Sequence, residues 1–153
     1  MGSDLEVMDE ICDKPEFFLS RVNQELKRAQ RYLSFVSYLN IDTQKLGMND
    51  EPAINMQNPD LLNKLRKHIR KAVRQTDLIS GFINGKLSVL LVETNKEGAE
   101  IVKDRLRESI KYFLHEIVDS PMNWKVNIDS GSFPGNESTP NSFYDRINAM
   151  LSE

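Results

Sequence analysis

Residues 74–92 read RQTDLISGFINGKLSVLLV, and this stretch decides the fold. Two short runs rich in Leu, Ile, Val and Phe, residues 77–83 and 86–92, flank the dipeptide Asn84-Gly85. Asn and Gly tolerate the positive φ angles that a two-residue type I′ turn requires at both of its central positions. The stretch therefore predicts a β-hairpin, and the basic segment before it predicts a helix that ends at about residues 74–76.

The composition is that of an ordinary globular domain. The chain has 153 residues, of which 39% are hydrophobic and 28% are charged. A net charge of −3 gives the whole molecule no general attraction to nucleic acid or to anionic membranes. The single cysteine excludes an internal disulfide, and no apolar run approaches the ~20 residues of a membrane span. These features predict a cytoplasmic protein that does not insert into a membrane.

The domain organisation is simple. Residues 1–12 are acidic and weakly patterned, which is typical of a tail or of the end of a linker helix. The first three residues, Met1-Gly2-Ser3, resemble a remnant of cloning, which suggests a domain cut from a longer chain. We expect one domain over residues 13–153, because this length is sufficient for a single core.

Apolar residues at helical spacing predict four main helices. Asp13 and Glu16 form a capping-box pattern before a helix that ends near residue 32, and Thr94 and Glu97 form a second one before a helix that reaches residue 113. A helix begins at Asp60 and carries six positive charges, and a short last helix covers residues 143–151.

Strands are predicted between these helices. Residues 34–41 form a largely apolar strand, which we expect at the centre of the sheet. The hairpin supplies two further strands, and the alternation over residues 124–130 predicts a half-buried fourth. Residues 42–59, with a short helix around 44–48, and residues 131–140 read as loops. The order α-β-α-β-β-α-β-α predicts an α+β sandwich, a small sheet flanked by helices.

The hairpin stretch resembles the corresponding part of the GGDEF (diguanylate cyclase) domain. In that family a helix enters the hairpin through an Arg-x-x-Asp motif, which is matched here by Arg74-Gln75-Thr76-Asp77. The family signature falls at Ile83-Asn84-Gly85-Lys86-Leu87, so the turn is retained and the motif is not. The resemblance covers about residues 15–151 and runs without a gap over 61–107. It implies a bacterial signalling domain with the sandwich layout of the nucleotidyl cyclases.

The resemblance also implies where catalysis would occur. Diguanylate cyclases need carboxylates that hold Mg²⁺, one at the end of the first strand and one in the signature. Those positions are Asn40 and Lys86, and the glycines that leave room for the nucleotide are replaced by Ile83 and Asn84. We therefore expect a degenerate domain that is not an enzyme and that has no Mg²⁺ cofactor.

The residues of the family's inhibitory site are retained better in this sequence than those of its catalytic site. There, the Arg-x-x-Asp motif binds cyclic di-GMP, which implies that Arg74 and Asp77 bind it here, with Arg105 supplied by the next helix. A guanidinium can bridge O6 and N7 of guanine or pair with phosphate, and a carboxylate can accept from N1–H and N2–H₂. The resemblance thus implies a cyclic di-GMP receptor that forms ligand-promoted homodimers and acts on an effector protein or attached domains.

Simpler interpretations of the same residues remain open. Arg74 and Arg105 could be solvated surface charges, and Asp77 could be half of an exposed salt bridge worth ~0–1 kcal/mol. The domain would then be a ligand-independent dimerisation or interaction module. A GTP sensor or an enzyme with altered metal ligands is a third alternative, which Asn40 and Lys86 argue against.

The basic helix over residues 60–74 raises the question of nucleic-acid binding. Its six positive side chains are those of Lys64, Arg66, Lys67, Arg70, Lys71 and Arg74. We interpret them as a solvated helix face, because the domain is acidic overall and no strand shows the paired exposed aromatics that stack bases.

Overall fold

A computed structural model describes residues 14–43, 59–118 and 126–151, which form four helices and four strands. The elements in chain order are α1 (Pro15–Tyr32), β1 (Val36–Asp42), α2 (Pro59–Ala72), β2 (Leu78–Ile79), β3 (Lys86–Val92), α3 (Lys96–Val118), β4 (Ile128–Phe133) and α4 (Pro140–Leu151). None of these helices has the length and apolar character that a membrane-crossing helix needs. The predicted tail over residues 1–12 and the short helix around 44–48 lie outside the described residues.

The sheet has the order β2-β3-β1-β4, and each pair of neighbouring strands is antiparallel. β1 pairs with β3 from Val36↔Val92 to Asp42↔Lys86, and with β4 on its other side from Val36↔Phe133. The side chains of residues 36–41 are all buried. The predicted central position of this apolar strand is therefore confirmed, and so is the α+β class.

The hairpin turn forms as the Asn-Gly dipeptide predicts. Asn84 and Gly85 have φ angles of 52° and 77°, and Ile83 and Lys86 exchange backbone hydrogen bonds of 2.8 and 2.9 Å. The first strand of the hairpin is shorter than predicted, because the pairing shifts by one residue between Ile79↔Val89 and Ile83↔Lys86. This extra residue is a β-bulge, and the Ser80 hydroxyl accepts the backbone N–H of Ser88 beside it, at 2.9 Å.

Helices cover both faces of the sheet. Because side chains alternate along each strand, Leu39 and Ile41 pack with α2 and α3, whereas Val36 and Tyr38 pack with α1 and α4. The Tyr38 ring meets Phe143 of α4 edge to face at 5.0 Å. Its hydroxyl donates to Glu137, and burial, with the nearby carboxylate, raises the pKa of Tyr38 so that the phenol stays neutral.

Both predicted helix caps are displaced by one residue. The cap of α1 is Lys14, which makes no side-chain capping bond, and the predicted cap Asp13 lies outside the described residues. At the start of α3 the side chain of Asn95 accepts the backbone N–H of Gly98 at 2.9 Å. Asn95 therefore caps α3 in place of Thr94, whose hydroxyl accepts from the Arg74 guanidinium and donates to the carbonyl of Val92.

The fourth strand extends beyond its predicted end. The prediction of a loop from residue 131 was wrong for residues 131–133, which continue the pairing with β1. Gly131 lies opposite Tyr38, and a Cβ atom there would come within 2.5 Å of the Tyr38 ring. The glycine is thus required by close packing in a strand and does not mark a turn.

We expect Gly131→Ala to destabilise the domain by ~1–3 kcal/mol, because the added methyl group overlaps the buried Tyr38 ring. Urea denaturation measures the change in the free energy of unfolding. In Tyr38→Val, which removes the ring, the same glycine substitution should cost much less. Equal costs in the two backgrounds would contradict the proposed overlap.

Candidate functional site

The Arg-x-x-Asp segment forms a tight connection between α2 and β2. The backbone N–H of Asp77 donates to the carbonyl of Arg74 at 3.0 Å, and the backbone N–H of Arg74 donates to Oδ2 of Asp77 at 2.9 Å. The backbone N–H and the carboxylate of Asp77 thus both bond to the backbone of Arg74, and these two hydrogen bonds close the turn. The spacing of three residues between Arg and Asp is what permits both bonds.

Asp77 is buried, with only 2% of its side chain exposed. Its Oδ1 accepts the backbone N–H of Val92 at 3.2 Å, and the guanidinium of Arg74 lies 3.4–3.5 Å from the two carboxylate oxygens. The salt bridge between the two side chains is present, but the interpretation of Asp77 as half of an exposed pair was wrong. A buried carboxylate with several donors ties the end of α2 to the end of β3.

The Arg74 guanidinium crosses from the end of α2 to the end of β3. Its Nη2 donates to the carbonyl of Val92 at 2.5 Å and to the hydroxyl of Thr94 at 2.7 Å. These contacts use Nε and Nη2, and 55% of the Arg74 side chain is still exposed. The group is therefore fixed in position on one side and open to solvent on the other.

Arg105 reaches the same region from α3. Its Nη2 donates to the carbonyl of Ala72 in the last turn of α2 at 2.9 Å. Arg74, Asp77 and Arg105 line one open cavity of about 430 Å³, together with Phe35 and Glu93. The structure thus brings together the three residues that the sequence singled out.

Three further residues at this cavity were missed by the sequence analysis. The sequence pattern predicts Thr94 to be a helix cap and places Phe35 in the apolar strand, although 40% of Phe35 is exposed. Glu93 follows β3 directly and has a positive φ of 51°. Local patterns carry no signal for the exposure of Phe35 or for the backbone conformation of Glu93.

The basic face of α2 is not simply solvated. Arg66 donates to the carbonyls of Ser80 and Ile79 at 3.0 and 3.2 Å, and Arg70 donates to the carbonyl of Asp77 at 2.8 Å. These arginines cover backbone at the outer edge of β2. The prediction of a solvated face holds for the exposed side chains of Lys64, Lys67 and Lys71 and was wrong for Arg66 and Arg70.

The two positions that correspond to the metal-binding acids of the resembled family, Asn40 and Lys86, lie in the same sheet. Asn40 is buried in the centre of β1, and its side-chain carbonyl accepts the hydroxyl of Ser88 at 2.8 Å. Lys86 lies opposite Asp42 at the start of β3. Within residues 14–43, 59–118 and 126–151, no group of three or more His, Cys, Asp or Glu side chains is arranged to hold a metal ion.

Comparisons with known proteins agree with this fold. The family profile described as "Diguanylate cyclase, GGDEF domain" matches residues 15–153. No curated protein matches the chain. Among solved structures, a diguanylate cyclase from Thermotoga maritima is 14% identical, with a TM-score of 0.63 over 89% of this chain and 92% of that one.

Two other solved structures are similar. The active GGEEF domain of a Vibrio cholerae diguanylate cyclase is 15% identical, with a TM-score of 0.65 over 93% of this chain and 89% of that one. The GGDEF domain of DgcB from Caulobacter crescentus, in complex with c-di-GMP, is 13% identical, with a TM-score of 0.56 over 90% of this chain and 81% of that one. At these identities the likeness shows the fold alone.

We expect Asp77→Asn to lower the free energy of unfolding by ~2 kcal/mol, because the substitution weakens charge-assisted hydrogen bonds in a buried position. Asp104→Asn is the matched control, since Asp104 pairs with Arg107 but 70% of its side chain is exposed. The control should change the free energy of unfolding by less than ~1 kcal/mol in the same urea titration. Equal effects of the two substitutions would argue against a structural role for Asp77.

Proposed function

The chain belongs to the GGDEF (diguanylate cyclase) domain family, and on this premise we propose that it is a catalytically inactive receptor for cyclic di-GMP. The observation that carries the proposal is that Arg74, Asp77 and Arg105 line one open cavity. These residues come from two separate segments of the chain. Two separate segments thus place two arginines and a buried carboxylate at one open cavity.

The chemistry of the cavity suits this ligand. Cyclic di-GMP carries two guanine bases and two anionic phosphodiesters, and the cavity offers two guanidinium groups. Arginine can donate to O6 and N7 of guanine together, or pair with a phosphate in bidentate fashion. In this proposal Arg74 and Arg105 contact the ligand, and Asp77 belongs to the site as the residue that holds Arg74. A structural relative, the GGDEF domain of DgcB, was solved with c-di-GMP bound.

The proposed loss of catalysis rests on two substitutions. Asn40 replaces a carboxylate that holds metal in the family, and its side-chain carbonyl already accepts the Ser88 hydroxyl. Lys86 places a positive charge where a second acid is needed, next to the hairpin turn. Because Mg²⁺ is bound by oxygen ligands that are mostly anionic, we propose no cyclase activity and no Mg²⁺ cofactor. Formation of cyclic di-GMP from GTP with Mg²⁺ or Mn²⁺ would overturn this part.

Signal output would occur through association. Arg105 lies on an exposed stretch of α3, so the Arg105 of a second protomer could close the cavity over the ligand. The receptor would then form ligand-promoted homodimers that act on an effector protein or on attached domains. Sedimentation velocity with and without cyclic di-GMP measures this, and Arg105→Ala should reduce the ligand-dependent shift.

We expect calorimetric titration of cyclic di-GMP into the domain to show saturable binding that Arg74→Ala weakens by at least ~10-fold, since the substitution removes the guanidinium that the ligand contacts. Lys67→Ala is the control, because it removes one positive charge from an exposed position of the same helix away from the cavity. Thermal denaturation shows whether each variant is folded. Equal affinity of folded Arg74→Ala and wild type would refute the site.

One observation favours a second function. The Arg74 guanidinium is already bonded to Val92 and Thr94, so it has a structural role that requires no ligand. A ligand-independent dimerisation or interaction module would need no more than this. Absence of heat at high ligand concentration, with an oligomeric state that no guanine nucleotide changes, would support the module and refute the receptor.

A further inference from the structure

The buried carboxylate of Asp77 is poorly placed to recognise a base. It already accepts the backbone N–H groups of Arg74 and Val92 at 2.9 and 3.2 Å, and the Arg74 guanidinium lies against it. Only 2% of the side chain is exposed. If a guanine binds in this cavity, another side chain must therefore accept from its N1–H and N2–H₂ groups.

Glu93 is an exposed carboxylate at the same cavity. It follows the last residue of β3, and 64% of its side chain is accessible to solvent. Its partner is Arg28, 3.5 Å away and 60% exposed, and such surface pairs are weak and readily exchanged. Glu93 can therefore leave this partner for a ligand at little cost.

The backbone at Glu93 is a second, independent indication. Its φ of 51° lies in the left-handed region, which residues other than Gly, Asn and Asp adopt infrequently. Residues in such conformations cluster at ligand-binding sites, where the surrounding structure holds them in place. Here the conformation occurs next to Thr94, which binds the Arg74 guanidinium.

Phe35 supplies an aromatic surface beside these charges. It lies directly before β1 and is 40% exposed, whereas the residues that follow it in the strand are buried. It lines the cavity with Arg74 and Glu93. Nucleic-acid bases stack on exposed aromatic rings, and the stacking contributes substantially to affinity.

We propose that Phe35 and Glu93 recognise a guanine base in this cavity, Phe35 by stacking on its face and Glu93 by accepting from N1–H and N2–H₂. Arg74 would donate from Nη1, which its contacts with Asp77, Val92 and Thr94 do not use, to O6 or N7 on the adjacent edge of the same base. The inference rests on the proposed receptor function and names the residues that select the base. Adenine presents an acceptor at N1 and has no amino group at C2, so Glu93 disfavours it.

The test of Glu93 uses two probes, cyclic di-GMP and cyclic di-AMP, titrated calorimetrically into the intact chain. Glu93→Gln should weaken cyclic di-GMP binding by at least ~10-fold and reduce the preference for guanine, because the amide retains only one acceptor oxygen and loses the charge. Glu108→Gln is the matched control, since Glu108 also forms an exposed ion pair of 3.5 Å, with Lys111. It should leave both affinities unchanged.

The test of Phe35 uses Phe35→Leu, which keeps an apolar side chain but removes the ring. It should weaken both cyclic dinucleotides by ~10-fold or more, since stacking does not depend on the base. Phe35→Trp should restore binding. Tyr112→Leu is the control, because Tyr112 is an aromatic residue of α3 that is 64% exposed and lies away from the cavity.

The outcomes separate this inference from the proposal on which it rests. Wild type that binds neither dinucleotide would refute both the receptor and the base-recognition residues. Binding that is lost in Arg74→Ala but unchanged in Glu93→Gln and Phe35→Leu would refute only the inference. If folded Asp77→Asn loses the base preference and Glu93→Gln keeps it, Asp77 and not Glu93 recognises the base, and the inference is refuted.

Discussion

Asp77 lies where three segments meet, and its carboxylate joins them. One oxygen accepts the backbone N–H of Arg74 at the end of α2, and the other accepts that of Val92 at the end of β3. A buried carboxylate is costly unless hydrogen bonds and an opposite charge offset its lost hydration. The geometry provides both, and the helix end, the hairpin and the Arg74 side chain are consequently fixed relative to one another. The position of the cavity depends on this arrangement.

The same junction protects the edge of the sheet. β2 is only two residues long, and a bulge separates it from the turn. Arg66 and Arg70 of α2 donate hydrogen bonds to backbone carbonyl groups on its outer side. Short edge strands, bulges and covered edges all hinder pairing with another chain. Contacts within the domain therefore account for the positive charges of Arg66 and Arg70 in α2, and of Arg74 just after it, without any nucleic acid.

Local signals in the sequence predict much of this fold. Asn84-Gly85 indicates its turn because both residues accept positive φ, and the apolar run before Asn40 indicates the central strand. Gly131 leads to a wrong prediction of a loop, because its role depends on the ring of Tyr38 on another strand. At the site, the motif identifies Arg74 and Asp77, but not that Asp77 is closed to solvent. Burial of a polar group depends on which segments surround it, and short-range patterns do not contain that information.

The contact between Gly131 and Tyr38 also bears on how this sequence can diverge. The two residues face each other across paired strands, and there is no room for a side chain at one while the ring occupies the other. A larger residue at position 131 is therefore tolerated only if the residue at position 38 becomes smaller. Among descendants that keep this sheet, a larger residue at position 131 should be inherited together with a smaller residue at position 38, so that the two sites change as a single unit of selection.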